Sequence, residues 1–186
     1  MSHYLNTPGI VIKKNRSRDS DIQITLLTPK HGKIQALAKG AQSIKSSRLS
    51  TLQLGNIIKA SIYQNKQRNW LSESITITPF LSTTKSLTQY NLLFYFLEMI
   101  NRFIAENQQI EEMFQISQDL IMSINSNNFD KFISQEILLL ENLGFGVPPQ
   151  IREAYQNKKY PECQKLIKIF IESIIEKPLQ SNQLFK

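Results

Sequence analysis

The chain has 186 residues, 41% of them hydrophobic, with 22 Lys and Arg against 15 Asp and Glu and a formal net charge of +7. That is enough apolar material for a buried core, which excludes a disordered tail, and the single cysteine, Cys163, excludes an intramolecular disulfide and a multi-cysteine metal site. Charge is sorted along the chain: residues 1–80 hold 12 Lys and Arg against 3 Asp and Glu, net +9, whereas residues 81–186 hold 10 against 12, net −2. A general need for solubility would not sort charge by region, so the first part is expected to meet a polyanion and the second something else.

The opening MSHYLNTPGI has no basic stretch followed by an apolar one, so no secretory signal is read there. Residues 9–15 predict a short strand ending in charge. Residues 21–28 alternate, with Ile22, Ile24 and Leu26 on one side and Gln23, Thr25 and Leu27 on the other. Pro29, Lys30, His31 and Gly32 have turn composition, and residues 33–39 resume as strand, so the two runs form a hairpin. Residues 40–52 are rich in Ser, Gln and Lys without a period and read as a mobile basic loop. Residues 56–63 predict a strand with Ile58, Ala60 and Ile62 inward. Residues 64–69 are a polar turn, and 70–78 the returning strand, with Leu71, Ile75 and Ile77 on one face. Five short alternating strands in about 80 residues predict a five-stranded barrel of the oligonucleotide-binding (OB) kind.

The period then changes. Thr84 is the expected N-cap of a helix over 85–105 that carries the stripe Leu92, Leu93, Phe96, Leu97, Ile100, Phe103 and Ile104. The most apolar stretch, Leu92–Ile100, contains Glu98 and is far shorter than the roughly 20 residues of a membrane span, so no membrane association is expected. Further helices are predicted over 110–125 and 129–143, the latter ended by Gly144. Pro148 and Pro149 read as a chain break, Pro161 opens a last helix and Pro178 closes it. The fold class expected is α+β: residues 1–80 an OB barrel that binds DNA, residues 81–186 a helical bundle that binds a partner.

Catalysis finds little support. His3 and His31 have no evident oriented partner for acid–base work. The run GAQSIKSS at 40–47 fails as a phosphate loop because Ile44 stands where Gly is needed before the lysine. Asp19 and Asp21 are too few for a nuclease site and read as a charged turn. No enzyme activity, cofactor or metal is expected. Nucleic-acid binding fares better. Lys13, Lys14, Arg16 and Arg18 follow the first strand, Lys30, Lys33 and Lys39 lie on the hairpin, and Lys45 and Arg48 in the loop. Lysine and arginine gain affinity for nucleic acid by releasing counterions; neutralising about five phosphates gives a single-strand salt slope of about −3.5. Tyr63 and Trp70 are expected as outward cross-strand neighbours flanking Lys66 and Arg68, an arrangement on which bases stack.

Gly9, Ile10 and Val11, Ser20 and Asp21, Leu26 to Thr28, His31 to Lys33, and the run Ala38, Lys39, Gly40 and Ala41 together resemble the start of the recombination protein O (RecO) family. Arg48 and Leu49 follow, the likeness continues through Leu71 to Glu73, and it returns at Leu139, Leu140, at Leu143 to Gly146 and at Pro178 to Ser181. The resemblance implies an OB-fold followed by helices, binding of single- and double-stranded DNA, strand annealing, and help in loading the recombinase RecA on DNA coated by single-strand-binding protein (SSB). It implies RecR and the acidic C-terminal tail of SSB as partners and a nucleoid-associated place in the cytoplasm. Lys158, Lys159, Lys165 and Lys168 are, by charge alone, candidates to meet that tail. Two departures stand out: Cys163 cannot replace the four zinc-binding cysteines of many members, and the basic run after Ala41 is diluted to Gln42, Ser43, Ile44 and Lys45. The chain is also shorter than the family leads one to expect, as if a helix or loop were trimmed. The function expected is a recombination mediator in DNA repair. The rival readings are a protein-interaction module and an RNA-binding OB module without annealing activity.

Overall fold

The computed structural model describes residues 3–17, 20–43, 46, 48–80, 86–106 and 109–181. Arg18, Asp19, Ile44, Lys45 and Thr84, singled out above, lie outside the described residues. Strands come first and helices after: β1 (His3–Arg16), β2 (Ile22–Thr28), β3 (Gly32–Ala38), a short α1 (Arg48–Thr51), β4 (Ile57–Gln64), β5 (Asn69–Thr78), then α2 (Leu87–Phe103), α3 (Glu111–Asn125), α4 (Phe129–Asn142), α5 (Pro149–Gln156) and α6 (Tyr160–Ile175). The chain divides into two compact units, Met1–Thr84 with Ile104–Phe114, and Lys85–Phe103 with Gln115–Lys186.

The five strands close into a barrel in the order β1-β2-β3-β5-β4. Closure rests on β1, which is twice the length its sequence pattern predicts. Its first half, from His3 to Ile10, pairs with β4, and its second half, from Ile10 to Arg16, pairs with β2. The two halves meet near Gly9, where a Cβ would stand 3.3 Å from the Leu26 Cβ, a tight contact that the glycine avoids. The register also shifts between Val11 and Lys13. The extra residue turns Lys13 outward and leaves Val11 in the core.

The barrel interior combines bulky and small side chains, as a narrow barrel needs: Ile22, Ile24, Leu26, Ile34, Ile58 and Ile62 with Ala36, Ala38 and Ala60. The sequence period orients these correctly, but not those of β5. A register shift between Ser61 and Ile62 makes Ser72 an extra residue, which reverses the faces beyond it. Leu71 is buried, whereas Ile75 and Ile77 are 67% and 56% exposed, contrary to the single apolar face expected for all three. The loop expected over 40–52 contains helix α1, with Leu52 fully buried behind it. Buried Asn56 ties this segment down: its Nδ2 donates to the carbonyls of Ser50 and Thr51, and its Oδ1 accepts from Phe80 N–H. Asp21, weighed as a metal ligand, instead accepts from Gly40 N–H at 2.7 Å through Oδ1 and from Gln42 Nε2 through its carbonyl.

In the helical unit, α2 begins with a capping box: Gln89 N–H donates to Ser86 Oγ, and Ser86 N–H donates to Gln89 Oε1. Helix α4 starts with the Asn128 side chain accepting from Lys131 N–H. It ends in a Schellman turn, where Gly144 at φ +85° donates to the Glu141 carbonyl and Phe145 N–H reaches the Leu140 carbonyl. Pro148 and Pro149 open α5 rather than interrupt the chain, because proline is pre-organised for a first helical turn. Helix α6 packs against α4 and α5. Among the described residues no helix is long and apolar enough to cross a membrane.

Among the described residues, the helical core holds an ionisable pair. Tyr95 and Glu136 are both fully buried, and the Tyr95 hydroxyl donates to Glu136 Oε1. Burial pushes the Glu136 carboxyl up to about 7, against the pull of Tyr95, Lys168 and Gln164. Burial and Glu136 together hold the Tyr95 hydroxyl well above its ordinary range.

Candidate nucleic-acid interface

The outer face of the β2–β3 hairpin and the β4–β5 turn gather the cationic and aromatic side chains. Tyr63 and Trp70 are register partners on β4 and β5, as expected. Their neighbours differ, though. Tyr63 packs on Tyr4, with ring centroids 5.3 Å apart, whereas Trp70 lies under two cations, Lys39 Nζ at 4.6 Å and the Arg68 guanidinium carbon at 5.6 Å from its ring centroid. Lys39 and Arg68 lie far apart in the barrel sequence. They meet because Leu37 and Trp70 are register partners, the pair that joins β3 to β5. Cations over an indole are held by its quadrupole, so this triad is a pre-positioned platform.

A second cationic group sits on the same hairpin. Burial depresses the Lys33 ammonium most, Glu106 opposes that, and nearby Lys13 adds to it. Register places Lys14 opposite Ile24 and Arg16 opposite Ile22, so their side chains leave from the interior face. Burial first, and Arg16 second, hold the Lys14 ammonium below its usual range. Lys30 and Lys66 are exposed in the two turns, Lys30 on the β2–β3 connection and Lys66 on the β4–β5 connection. Arg48 is already engaged: its Nη2 donates to the carbonyl of the bulged Ser72 at 2.7 Å.

Between the triad and the hairpin lies a cleft of about 290 Å³ lined by Ser17, Gln23, Gln35, Ala36, Leu37, Gln67, Arg68 and Asn69. Its amides are linked. Gln23 Nε2 donates to Gln35 Oε1 at 3.0 Å, Gln35 Nε2 donates to Glu106 Oε1 at 2.7 Å, and Asn69 Nδ2 donates to the Gln35 carbonyl at 3.0 Å. Glu106 reaches this face because its segment returns to the barrel: it bridges Gly32 and Lys33, and Ile110 N–H donates to the Pro29 carbonyl. The sequence pattern orients Gln23 and Gln35 outward, but their clustering with Asn69 and Glu106 depends on contacts up to 71 residues apart.

In the helical unit the four candidate lysines differ in their surroundings. Lys158 and Lys159 lie between α5 and α6, with Lys159 paired to Glu162 at 3.5 Å. Lys165 is exposed on α6, and Lys168 turns over the Tyr95 ring at 5.2 Å. Leu92, Ile124 and Phe129 line an apolar groove of about 170 Å³ together with Thr88, Ser123, Asn127 and Asn128. Cys163 does not fit a zinc centre: it is buried, its Sγ faces the Ile151 carbonyl at 3.4 Å, and burial pushes its thiol up to about 11.

A closed basic barrel bearing a cation-flanked indole and an amide cleft, followed by helices, defines a class: β-barrel proteins with a cationic outer face and a helical extension. Residues 1–80 match the family model "Recombination protein O N terminal". The chain is 28% identical over 149 residues to "DNA repair protein RecO" of Thermoanaerobacter sp. strain X514, covering 79% of this chain and 60% of that protein. Proteins of the same name from Caldanaerobacter subterraneus (26%, 76% of this chain, 59% of the relative) and Dehalococcoides mccartyi (28%, 81% and 60%) are similar. The first 80 residues thus resemble the N-terminal part of the recombination protein O family, and the chain spans about 60% of the length of these relatives.

Proposed function

We propose that the barrel is an OB-fold DNA-binding unit and that the protein is a recombination mediator in DNA repair, without catalytic activity of its own. The observation that carries this reading is the Lys39–Trp70–Arg68 triad: Lys39 follows β3, Arg68 lies in the β4–β5 loop and Trp70 is on β5, and OB barrels bind oligonucleotides through the face of strands 2 and 3 and the β4–β5 loop. The barrel binds single- and double-stranded DNA through phosphates, with Trp70 stacking on an unpaired base. Two strands held on a cationic surface repel each other less, so complementary bases pair: this is annealing by charge neutralisation. Relatives named for DNA repair support the same role.

The helical unit serves protein partners in this reading, RecR and the C-terminal tail of SSB, and through them the loading of RecA on SSB-coated DNA. The apolar residues of such a tail suit the Leu92–Ile124–Phe129 groove. Fluorescence anisotropy with a labelled single-stranded oligonucleotide tests the first step, and an annealing assay with and without SSB tests the second. Tight binding that weakens steeply with salt is expected. Absence of binding at low salt would leave a protein-interaction module, and preference for RNA of matched sequence an RNA-binding one.

A further inference from the structure

The barrel closes between β3 and β5 through a single register pair. Trp70 pairs with Leu37 at one end of the β3 edge, and Glu106 bridges Gly32 and Lys33 at the other. Between them, among the described residues, the β3 edge that faces away from β2 has no strand partner, and the Asn69 side chain takes the Gln35 carbonyl instead. A strand edge left open keeps backbone groups available for hydrogen bonding. The opening is the amide cleft, and at about 290 Å³ it stands at the lower edge of the roughly 300–1,000 Å³ of small-molecule pockets.

The amides suit a ligand with a hydrogen-bonding edge. A carboxamide offers two N–H donors and an oxygen acceptor. The chain from Gln23 through Gln35 to Glu106 spends one N–H of each glutamine and fixes both amide planes. The remaining N–H of each and Gln23 Oε1 then line a fixed donor and acceptor array, joined by Ser17 and Gln67. Arg68 lines the same cleft and sits over Trp70, so a phosphate next to the ligand has a cation at hand.

We infer that this cleft takes one unpaired nucleobase by its hydrogen-bonding edge, beside the base stacked on Trp70. The inference rests on the DNA-binding reading and deepens it. Stacking tolerates every base because each has a π-face, whereas an amide array discriminates by edge, so the protein has a base preference that charge and stacking alone do not give.

The test compares two single-stranded 20-mers of equal charge and shape, one of thymidine and one of its non-hydrogen-bonding difluorotoluene isostere. Anisotropy and quenching of Trp70, the only tryptophan of the chain, give the affinities. Wild-type protein is expected to bind the thymidine strand about tenfold more tightly, the effect of about one good base-edge contact. The double variant Gln23→Leu, Gln35→Leu is expected to bind both alike with its salt slope unchanged. Equal wild-type affinity for the two strands overturns the inference while leaving DNA binding intact, and that comparison needs no variant to fold. Failure to bind either strand at low salt removes the DNA-binding reading and the inference with it.

Discussion

The two outer faces of the barrel share one scaffold and differ in chemistry. The β2–β3 face carries Lys13, Lys33 and the Gln23–Gln35 amide chain, and its border the Lys39–Trp70–Arg68 triad. The β4–β5 face also has a cleft of similar size, about 270 Å³, but it is lined by Asn6, Lys59, Ala60, Ser61, Glu73, Ser74 and Ile75. There the lone lysine of the lining is accompanied by an acid, and Ile75 and Ile77 stand in solvent. The net charge of the first 80 residues thus does not say on which face of the barrel the cations gather. What decides is which strand face the cations leave from, and two bulges set that: the one in β1 turns Lys13 outward, and Ser72 turns Ile75 outward.

The contrast between inside and outside should be the largest effect. Leu26→Ala, deep in the core, is expected to cost about 3 kcal/mol in urea unfolding, whereas Ile75→Ala stays within about 0.5 kcal/mol. A loss at Ile75 matching that at Leu26 would mean that Ser72 does not reverse the strand. The two outer faces separate next. Reversing Lys39 and Arg68 to Glu is expected to weaken single-strand binding about 100-fold at about 0.1 M salt and to make the salt slope shallower by about 1.4, two contacts at about 0.7 each. Lys59→Glu is expected to change affinity less than about threefold, and equal effects at both faces would erase the distinction.

The helical unit supplies a control that moves stability without moving binding. Glu136 has a folded pKa of about 7, raised above the carboxylate value of 4.5 by burial. The folded state therefore holds its proton more tightly than the unfolded chain. Its contribution is fully present below about pH 4.5, falls as pH rises towards about 7, and is gone above that. Urea midpoints should show Glu136→Gln with less decline than wild type between about pH 5 and 7, at unchanged DNA affinity. A profile identical to wild type would place the titration elsewhere. The smallest effect is expected at Glu106, whose carboxylate sits on the β2–β3 face beside Lys33. Glu106→Gln keeps the hydrogen-bonding shape, removes a charge that repels phosphate, and is expected to tighten binding about threefold at low salt. Weaker binding would show that the carboxylate organises the face rather than competing on it.

Much of this was legible because strand and helix periods report directly on burial. Ile22, Ile24, Leu26, Ile58, Ala60 and Ile62 alternate without interruption, and the structure buries all of them. Gly144 ends α4 as its backbone freedom suggests. The failures have one physical origin, a local event that changes phase or partner. Ser72 shifts β5 by one residue, and a polar stretch, His3 to Pro8, becomes half of β1 because β4 needs a neighbour, not because its pattern asks for a strand. Pro148 and Pro149 permit helix initiation as readily as a break. The triad was half visible: Trp70 and Arg68 are near neighbours in sequence, but Lys39 joins them only through the Leu37–Trp70 pair. Glu106 was not visible, since nothing local indicates that the chain returns to the barrel after α2.

The division of β1 between two neighbours also imposes an order in time. The β2–β3 hairpin closes over a short turn and can form as soon as it is made. The first half of β1, by contrast, waits for β4, whose residues lie about 50 positions later in the chain: Leu5 meets Ile62 and Gly9 meets Ile58. Until then the first half of the earliest-made strand lacks its β4 partner. Contact order therefore predicts that folding of this unit is paced by its long-range pairings, β1 with β4 and β3 with β5, rather than by its hairpins.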